Sequence, residues 1–422
     1  MNPWISGIIL LIFGFEISIH HDPMTASNLK DKRIIIGITG GIAAYKSLLL
    51  IRFLIRSGAE VRVIMTEAAK DFVTPLSVST LSKNKVFSSL FSEGVWENHV
   101  ELGMWADVFV IAPATANTIA AMAQGLCDDI LLATYLSARC PVLVAPAMDL
   151  DMWSHPATQR NIEILKEDQV EIIDVESGEL ASGLSGQGRM AEPENILFRI
   201  EEIVSPKIPA VDGKKVVVTA GPTYESLDPV RYLGNWSSGK MGIAIAEEFH
   251  LAGSSVTLVL GPSSEKPRFP DIHVIRVKNA REMYDRVMEV WNETDIGIMA
   301  AAVADYRPAE FFSEKISKSD EGMTIRLERN PDIAASLGEI KKPDQILIGF
   351  AMETHNEIKN AERKLNTKNL DLIVLNSLRD ADSGFGTDTN KVTLITNEGL
   401  IQAKELQTKH GVARDIIEFI SK

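Results

Sequence analysis

Arg33-Ile34-Ile35-Ile36-Gly37-Ile38-Thr39-Gly40-Gly41-Ile42-Ala43 decides how the first half of this chain folds. An apolar run from Arg33 to Ile38, ended by glycine, reads as a strand buried on both faces. The stretch from Ile42 to Ser57 reads as a helix, closed by Gly58. Strand, glycine turn and helix open a βαβ unit. Further strands are expected at Glu60–Met65, 107–112 and 141–145, with helical stretches between them. That alternation implies parallel pairing and a doubly wound sheet.

The pattern restarts further on. Residues 203–213 combine two prolines, a glycine and weak periodicity, which reads as a linker. Strands are then expected at 215–219, Ser255–Leu260, 295–300, 345–350 and 371–375, and a helix at 239–251. A late antiparallel pair is expected at 391–396 and 399–403, and a last helix at 413–420. The expected architecture is α/β, with two doubly wound (Rossmann-like) domains. The boundaries are an N-terminal extension at 1–30, a first domain at 31–202, a linker at 203–212 and a second domain at 213–422. The chain of 422 residues is long enough for two domains of about 200 residues each.

A net charge of −14 argues against nucleic acid as a partner, although helix N-termini can still hold phosphate in an acidic protein. Two cysteines, Cys127 and Cys140, are too few for a disulfide framework and suit a reducing, cytoplasmic setting. The apolar run 5–15 is too short to span a bilayer, which takes about 20 residues, so it is assigned to the extension.

Gly40-Gly41 after a strand and before a helix is a phosphate-binding turn: glycine admits the ligand, and the helix N-terminus offers free N–H donors. Thr66 can add a hydroxyl at the end of the second strand. The dinucleotide fingerprint G-x-G-x-x-G is absent, which counts against NAD. His99 precedes Glu101-Leu102-Gly103, and Ala112-Pro113-Ala114-Thr115-Ala116-Asn117-Thr118 ends the next strand. Small residues and an amide at a strand's C-terminal edge suit a flat ring in the crevice. Asn117 can equally be a helix cap.

The segments 39–46, 99–102, 113–118 and 146–153 resemble the homo-oligomeric flavin-containing cysteine decarboxylases. The resemblance implies FMN held by Thr39, Gly40, Gly41, Ile42, Thr66, Ala114 and Asn117. It implies substrate contacts from Asn117, Met148 and Asp149, trimeric packing, and His99 as base or substrate-orienting group. Two positions depart from the family. Asp149 stands where an asparagine is expected, and an ionised aspartate cannot donate to a substrate carboxylate. Ser182 stands where the coenzyme A decarboxylases carry an acidic flap cysteine ahead of Gly186-Gln187-Gly188-Arg189-Met190, with Ser185 nearby.

In the second half, 234–240 satisfies most of a Walker A pattern, but Met241 replaces the hydroxyl that would hold Mg2+. A P-loop NTPase is therefore disfavoured. Gly221-Pro222-Thr223, Asp228–Tyr232, Ser237–Gly242, Ala301–Tyr306 and Asn330–Ile333 instead resemble the phosphopantothenate–cysteine ligases. That resemblance implies CTP and Mg2+, with 4'-phosphopantothenate and cysteine as substrates. Lys315, Asn235 and Arg231 would act on the acyl-cytidylate. The nucleotide would lie against Met299, Ala300, Ala301, Asp305, Asn330, Pro331, Asp332, Ile333, Phe350, Lys364 and Lys368. Decarboxylase before ligase is the bacterial bifunctional order of coenzyme A biosynthesis. Trimers of the first half and dimers of the second would combine into a dodecamer. The rival expectation is an active ligase joined to a flavin-binding half impaired in decarboxylation.

Overall fold

A computed structural model describes residues 29–92, 95–316, 323–353, 355–377 and 386–422. The expected N-terminal extension lies outside the described residues up to residue 28. The chain forms two compact units, 1–197 and 198–422.

The first unit is built on six parallel strands: β1 Arg33–Ile38, β2 Glu60–Met65, β3 Val86–Phe87, β4 Val108–Ala114, β5 Val142–Pro146 and β6 Glu171–Ile172. Their order is β3-β2-β1-β4-β5-β6, so the sheet reverses direction of build between β1 and β4. Every residue of β4, and all of β1 but Arg33, is buried, which explains continuous apolar runs in place of alternation. Helix α1, Ala44–Arg56, covers the sheet with Leu50, Ile51 and Leu54, each fully buried and each stabilising by about 1.5–3 kcal/mol. It begins two residues later than expected, because Ala44 N donates to Gly41 O at 2.9 Å and the glycine pair forms a turn first. Helices α2 (His99–Trp105) and α3 (Ala116–Ala123) flank β4. A five-residue helix, α4 Leu150–Ser154, follows β5. An antiparallel hairpin, β7 Glu176–Glu179 with β8 Ser185–Arg189, stands apart from the sheet.

The second unit repeats the winding: β9 Lys215–Ala220, β10 Ser255–Leu260, β11 His273–Arg276, β12 Ile296–Met299, β13 Ile346–Glu353 and β14 Leu372–Ser377 are parallel. The order β11-β10-β9-β12-β13-β14 reverses between β9 and β12. The expected antiparallel pair, β15 Val392–Thr396 and β16 Ile401–Ala403, extends the same sheet beyond β14. Helix α5, Lys240–Leu251, packs on one face. Helix α6, Glu357–Thr367, packs through Ala361 and Leu365. The last helix, α7 Lys409–Ile420, starts four residues before the expected 413. Thr408 caps it by accepting from Gly411 N at 3.1 Å, so the glycine sits in the first turn and does not delay the helix.

The stretch read as a linker is tied to the second unit. Ile208 N donates to Ala252 O at 3.0 Å, Ser254 Oγ donates to Val211 O at 2.8 Å, and Val211 is fully buried. No helix among the described residues is long and apolar enough to cross a membrane.

Candidate functional site

In each unit the loops that carry the motifs leave the C-terminal ends of the two strands at the reversal point, where open α/β sheets bind ligands. After β1, a Cβ on Gly40 would fall 2.4 Å from Ala68 Cβ. Glycine is what lets this turn meet the 3₁₀ turn Glu67–Asp71. The Thr39 hydroxyl is committed to the fold: it donates to Pro113 O at 2.7 Å and accepts from Thr115 N at 3.1 Å, joining the ends of β1 and β4. Ligand contacts from Thr39 are thereby left to its backbone. Ala114 is buried at the end of β4, whereas Ile42 is 61 % exposed.

Two polar atoms stand out. Thr66 Oγ1 and His99 Nδ1 are buried and have no hydrogen-bond partner among the described residues. An unmet buried donor or acceptor costs about 1–3 kcal/mol, so these atoms mark places that a polar ligand would satisfy. The His99 ring opens α2 and meets Trp96 edge-on, with centroids 5.7 Å apart. Thr115, not Asn117, caps α3 by accepting from Thr118 N, so Asn117 is an exposed side chain in the first turn.

Asp149 caps α4 by accepting from Leu150 N at 2.8 Å. An asparagine would accept through Oδ1 in the same way, which is why aspartate is tolerated here. Met148 N donates to Gly188 O at 3.0 Å, pinning the β7–β8 hairpin beside this loop. A side chain at Gly188 would meet Met148 O at 2.4 Å. Ser182 lies exposed at the hairpin tip, where its Oγ accepts from Leu184 N at 3.4 Å. At the hairpin's base, buried Lys46 donates to Met190 O and Glu192 Oε1, each at 3.0 Å.

In the second unit a cleft of about 780 Å³ opens along the ends of β9, β12, β13 and β14. It is lined by Asn235, Met299, Ala300, Ala301, Asp305, Asn330, Pro331, Asp332, Ile333, Phe350, Lys364 and Lys368, all expected from the sequence. Buried threonines hold its inner loop: Ala301 N donates to Thr219 Oγ1 at 3.2 Å and Ala304 N to Thr223 Oγ1 at 3.0 Å. Asn235 Nδ2 donates to Ala302 O at 2.9 Å, and Asn330 Nδ2 to Ala304 O at 2.8 Å. Lys364 pairs with Glu353 at 2.7 Å and Lys368 with Asp332 at 2.8 Å.

Two expected residues do not line this cleft. Arg231 is bound to buried Asp228 through Nε at 2.8 Å and Nη2 at 2.5 Å, and its Nη2 also donates to Ile316 O at 3.0 Å. Lys315, the residue before, is exposed. The Asp228 carboxyl is held well below the usual range, first by the Arg231 bond and then by backbone N–H groups that outweigh its burial. Conversely, Lys240, Asn376, Asn390 and Lys409 line the cleft without having been singled out as site residues. Lys240 was visible in the Walker-like run. The other three are distant in sequence: Asn376 comes to the cleft on β14, Lys409 at the start of α7, and Asn390 on a two-residue strand, Thr389–Asn390, paired with Gln407–Thr408.

A doubly wound unit with a glycine turn and unmet buried polar atoms, followed by one with a ligand-sized cleft, defines a two-site α/β protein of the flavoprotein class. The flavoprotein family model matches residues 24–205, and the DNA/pantothenate metabolism flavoprotein C-terminal domain matches 211–422. The coenzyme A biosynthesis bifunctional protein CoaBC of Bacillus subtilis is 42 % identical over 396 residues, covering 93 % of this chain and 97 % of its own. A cysteine/cysteine sulfinic acid decarboxylase from an unknown prokaryotic organism is 52 % identical over 353 residues, 82 % of this chain and 98 % of its own. The crystal structure of a CoaBC C-terminal domain is 40 % identical, covers 50 % of this chain and 96 % of its own, and superposes with a TM-score of 0.43. The chain belongs to the family of bifunctional coenzyme A biosynthesis flavoproteins.

Proposed function

We propose that this chain catalyses two consecutive steps of coenzyme A biosynthesis. The second unit ligates cysteine to 4'-phosphopantothenate, using CTP and Mg2+ and passing through an acyl-cytidylate. The first unit decarboxylates the resulting 4'-phosphopantothenoylcysteine to 4'-phosphopantetheine with FMN. The observation that carries this reading is the cleft, which gathers twelve sequence-expected residues from five separate segments.

The chemistry follows from the lining. A carboxylate is a poor electrophile and needs activation. Attack of the acid on the α-phosphate of CTP releases pyrophosphate, and cysteine's amine then displaces CMP. Lys364 and Lys368, released from Glu353 and Asp332, are placed to balance nucleotide charge. Lys315 stands outside the cleft lining, on an exposed loop that Arg231 anchors from Asp228 to Ile316, and on this reading it moves to the phosphates when nucleotide binds.

The first unit's residues fit FMN. Gly40 lets its turn close on the 3₁₀ turn beside Thr66, Thr66 and His99 offer unmet polar atoms, and Asn117 presents an exposed amide in the first turn of α3. Bound FMN supplies an acceptor and donor of two electrons, so that the decarboxylation is redox-neutral overall. His99, whose Nδ1 has no partner among the described residues, orients the substrate or moves its proton. Gly40, Gly41, Ile42 and Ala114 shape the turn against which the cofactor lies.

Trimers of the first unit and dimers of the second complete the proposal, combining into a cytoplasmic dodecamer. Ile42 just before α1 and Tyr45 and Leu49 in its first turns are exposed, as are Val230, Tyr232 and Trp236 in the second unit. Apolar patches of this kind mark protein contacts.

A second reading is favoured by Ser182: an active ligase with a decarboxylase half that binds flavin but turns over poorly. A hydroxyl is a far weaker acid than a thiol. Incubating the purified protein with phosphopantothenate, cysteine, CTP and Mg2+ and resolving products by mass separates the two. Phosphopantetheine with CMP supports the first reading. Phosphopantothenoylcysteine accumulating alone supports the second, and absence of CMP refutes both.

A further inference from the structure

Lys409 is the first residue of α7, set there by the Thr408 cap, and it lines the cleft while only 6 % exposed. Its Nζ donates to Thr389 O at 3.3 Å and to Asn390 Oδ1, two neutral acceptors. The other cleft lysines differ: Lys240 pairs with Asp388 at 2.7 Å, Lys364 with Glu353 at 2.7 Å and Lys368 with Asp332 at 2.8 Å. Asp388 and Lys240 are the charged groups that face Lys409. The acids of α5, Glu247 and Glu248, turn to Arg268, His410 and Arg414. Burial pushes the Lys409 ammonium down to about 8, with Asp388 opposing and Lys240 adding to the effect.

The two half-reactions make different demands. Activation of the carboxylate moves no proton and needs positive charge, which Lys240, Lys364 and Lys368 carry. Amide formation must remove one proton from the attacking nitrogen. Carboxylates are weak bases for that task, and an amine that loses its own proton near neutrality is well matched to it.

Resting on the ligase reading above, we propose that Lys409 is the general base of the amide-forming step. The amine of cysteine attacks the acyl carbon and the C–N bond forms. Its proton passes to neutral Lys409 Nζ. The acyl C–O bond breaks, and the nucleoside monophosphate leaves with the electron pair. Thr389 and Asn390 hold two of the Nζ hydrogens, which leaves one position of the amine to take a proton from the cleft that Lys409 lines.

The test uses the full chain with K409M and K409R, reading the steps separately. Pyrophosphate release without cysteine, in a single turnover, reports activation; amide formation is followed after cysteine is added. Expected is a pyrophosphate burst within about threefold of wild type, with amide formation slowed about 10²–10³-fold. Both variants lose the part of the rise of amide rate with pH that belongs to Lys409 and keep only the part set by cysteine's own amino group. If K409M does not fold by circular dichroism, K409R decides, since arginine keeps the charge and cannot act as base. Equal loss of both steps, or unchanged amide formation, overturns the assignment. A wild-type protein that releases no pyrophosphate from CTP overturns the ligase reading itself, and the wild-type burst tells the two failures apart.

Discussion

Arg231 clamps the buried carboxylate of Asp228 through Nε and Nη2 and donates from the same guanidinium to Ile316 O at 3.0 Å. The Asp228 carboxylate also accepts from Val230 N at 2.8 Å, Arg231 N at 2.7 Å and Ile316 N at 3.2 Å. One carboxylate thus organises the turn carrying Arg231 and holds the segment next to Lys315. Asp228→Ala takes the carboxylate from Arg231 and the acceptor from Ile316 N, leaving the bond from Arg231 to Ile316 O as the remaining tether. Misplacement of a catalytic group by about 1 Å costs on the order of 10²-fold. CTP-dependent amide formation by D228A should fall by that order, with flavin absorbance of the purified protein unchanged. Full ligase activity in D228A would remove this carboxylate from the positioning of Lys315.

The first-unit turn can be tested without catalysis. Gly40→Ala puts a methyl 2.4 Å from Ala68 Cβ, so the turn must open. Flavin fluorescence titration should show no binding. Thr66→Val removes a hydroxyl that no group among the described residues bonds, and replaces it by a group of equal size. Losing one hydrogen bond to the ligand is worth about 1 kcal/mol, so flavin should bind about fivefold more weakly, while thermal stability without flavin stays level or rises. Unchanged affinity would place Thr66 outside the flavin site.

Glu248 sets an acid limit on the second unit. Burial raises its carboxyl, but bonds from His410 at 3.0 Å and Arg414 at 3.0 Å outweigh that and hold it below its usual range. A carboxyl that is more acidic in the folded state stabilises above its unfolded value of about 4.3. That stability is lost as pH falls through the folded value. Chemical denaturation at stepped pH should show the second unit weakening below about pH 4. Glu248→Gln should lower stability at pH 7 and flatten this acid limb; an unaltered limb would shift the effect to other carboxylates.

The central parallel strands were legible because they are buried on both faces, so apolar runs such as Ile34–Ile38 and Val216–Val218 stand out unbroken, whereas the partly exposed edge strands Val86–Phe87, Glu171–Ile172 and His273–Arg276 carry no such run and were not expected. The cleft's near wall was legible too, since Met299–Ala301 and Asn330–Ile333 leave adjacent elements as contiguous motifs. Lys409 and Asn390 were not. They stand well outside those motifs along the chain and meet the cleft only once α7 and the Thr389–Asn390 strand are folded. Thr39 shows the opposite limit. Its position in the glycine turn was read from the sequence as phosphate-binding, while only geometry reveals that its hydroxyl is already bonded to Pro113 and Thr115.

Ser182 offers the sharpest test of the first unit. It is exposed at the tip of the β7–β8 hairpin, and its Oγ makes one 3.4 Å contact with Leu184 N. Changing an exposed hydroxyl to a thiol should alter stability by no more than about 0.5 kcal/mol. A thiol titrates near 8.5, within reach of a protein-bound proton donor at neutral pH, whereas a serine hydroxyl does not. Ser182→Cys should therefore raise the rate of phosphopantetheine formation from phosphopantothenoylcysteine by at least about tenfold, about 1.4 kcal/mol of barrier. Mass-resolved product analysis of wild type and S182C side by side measures it. An equal rate in the two would mean that this protein delivers the final proton from elsewhere, with His99, whose Nδ1 has no protein partner among the described residues, next to be replaced.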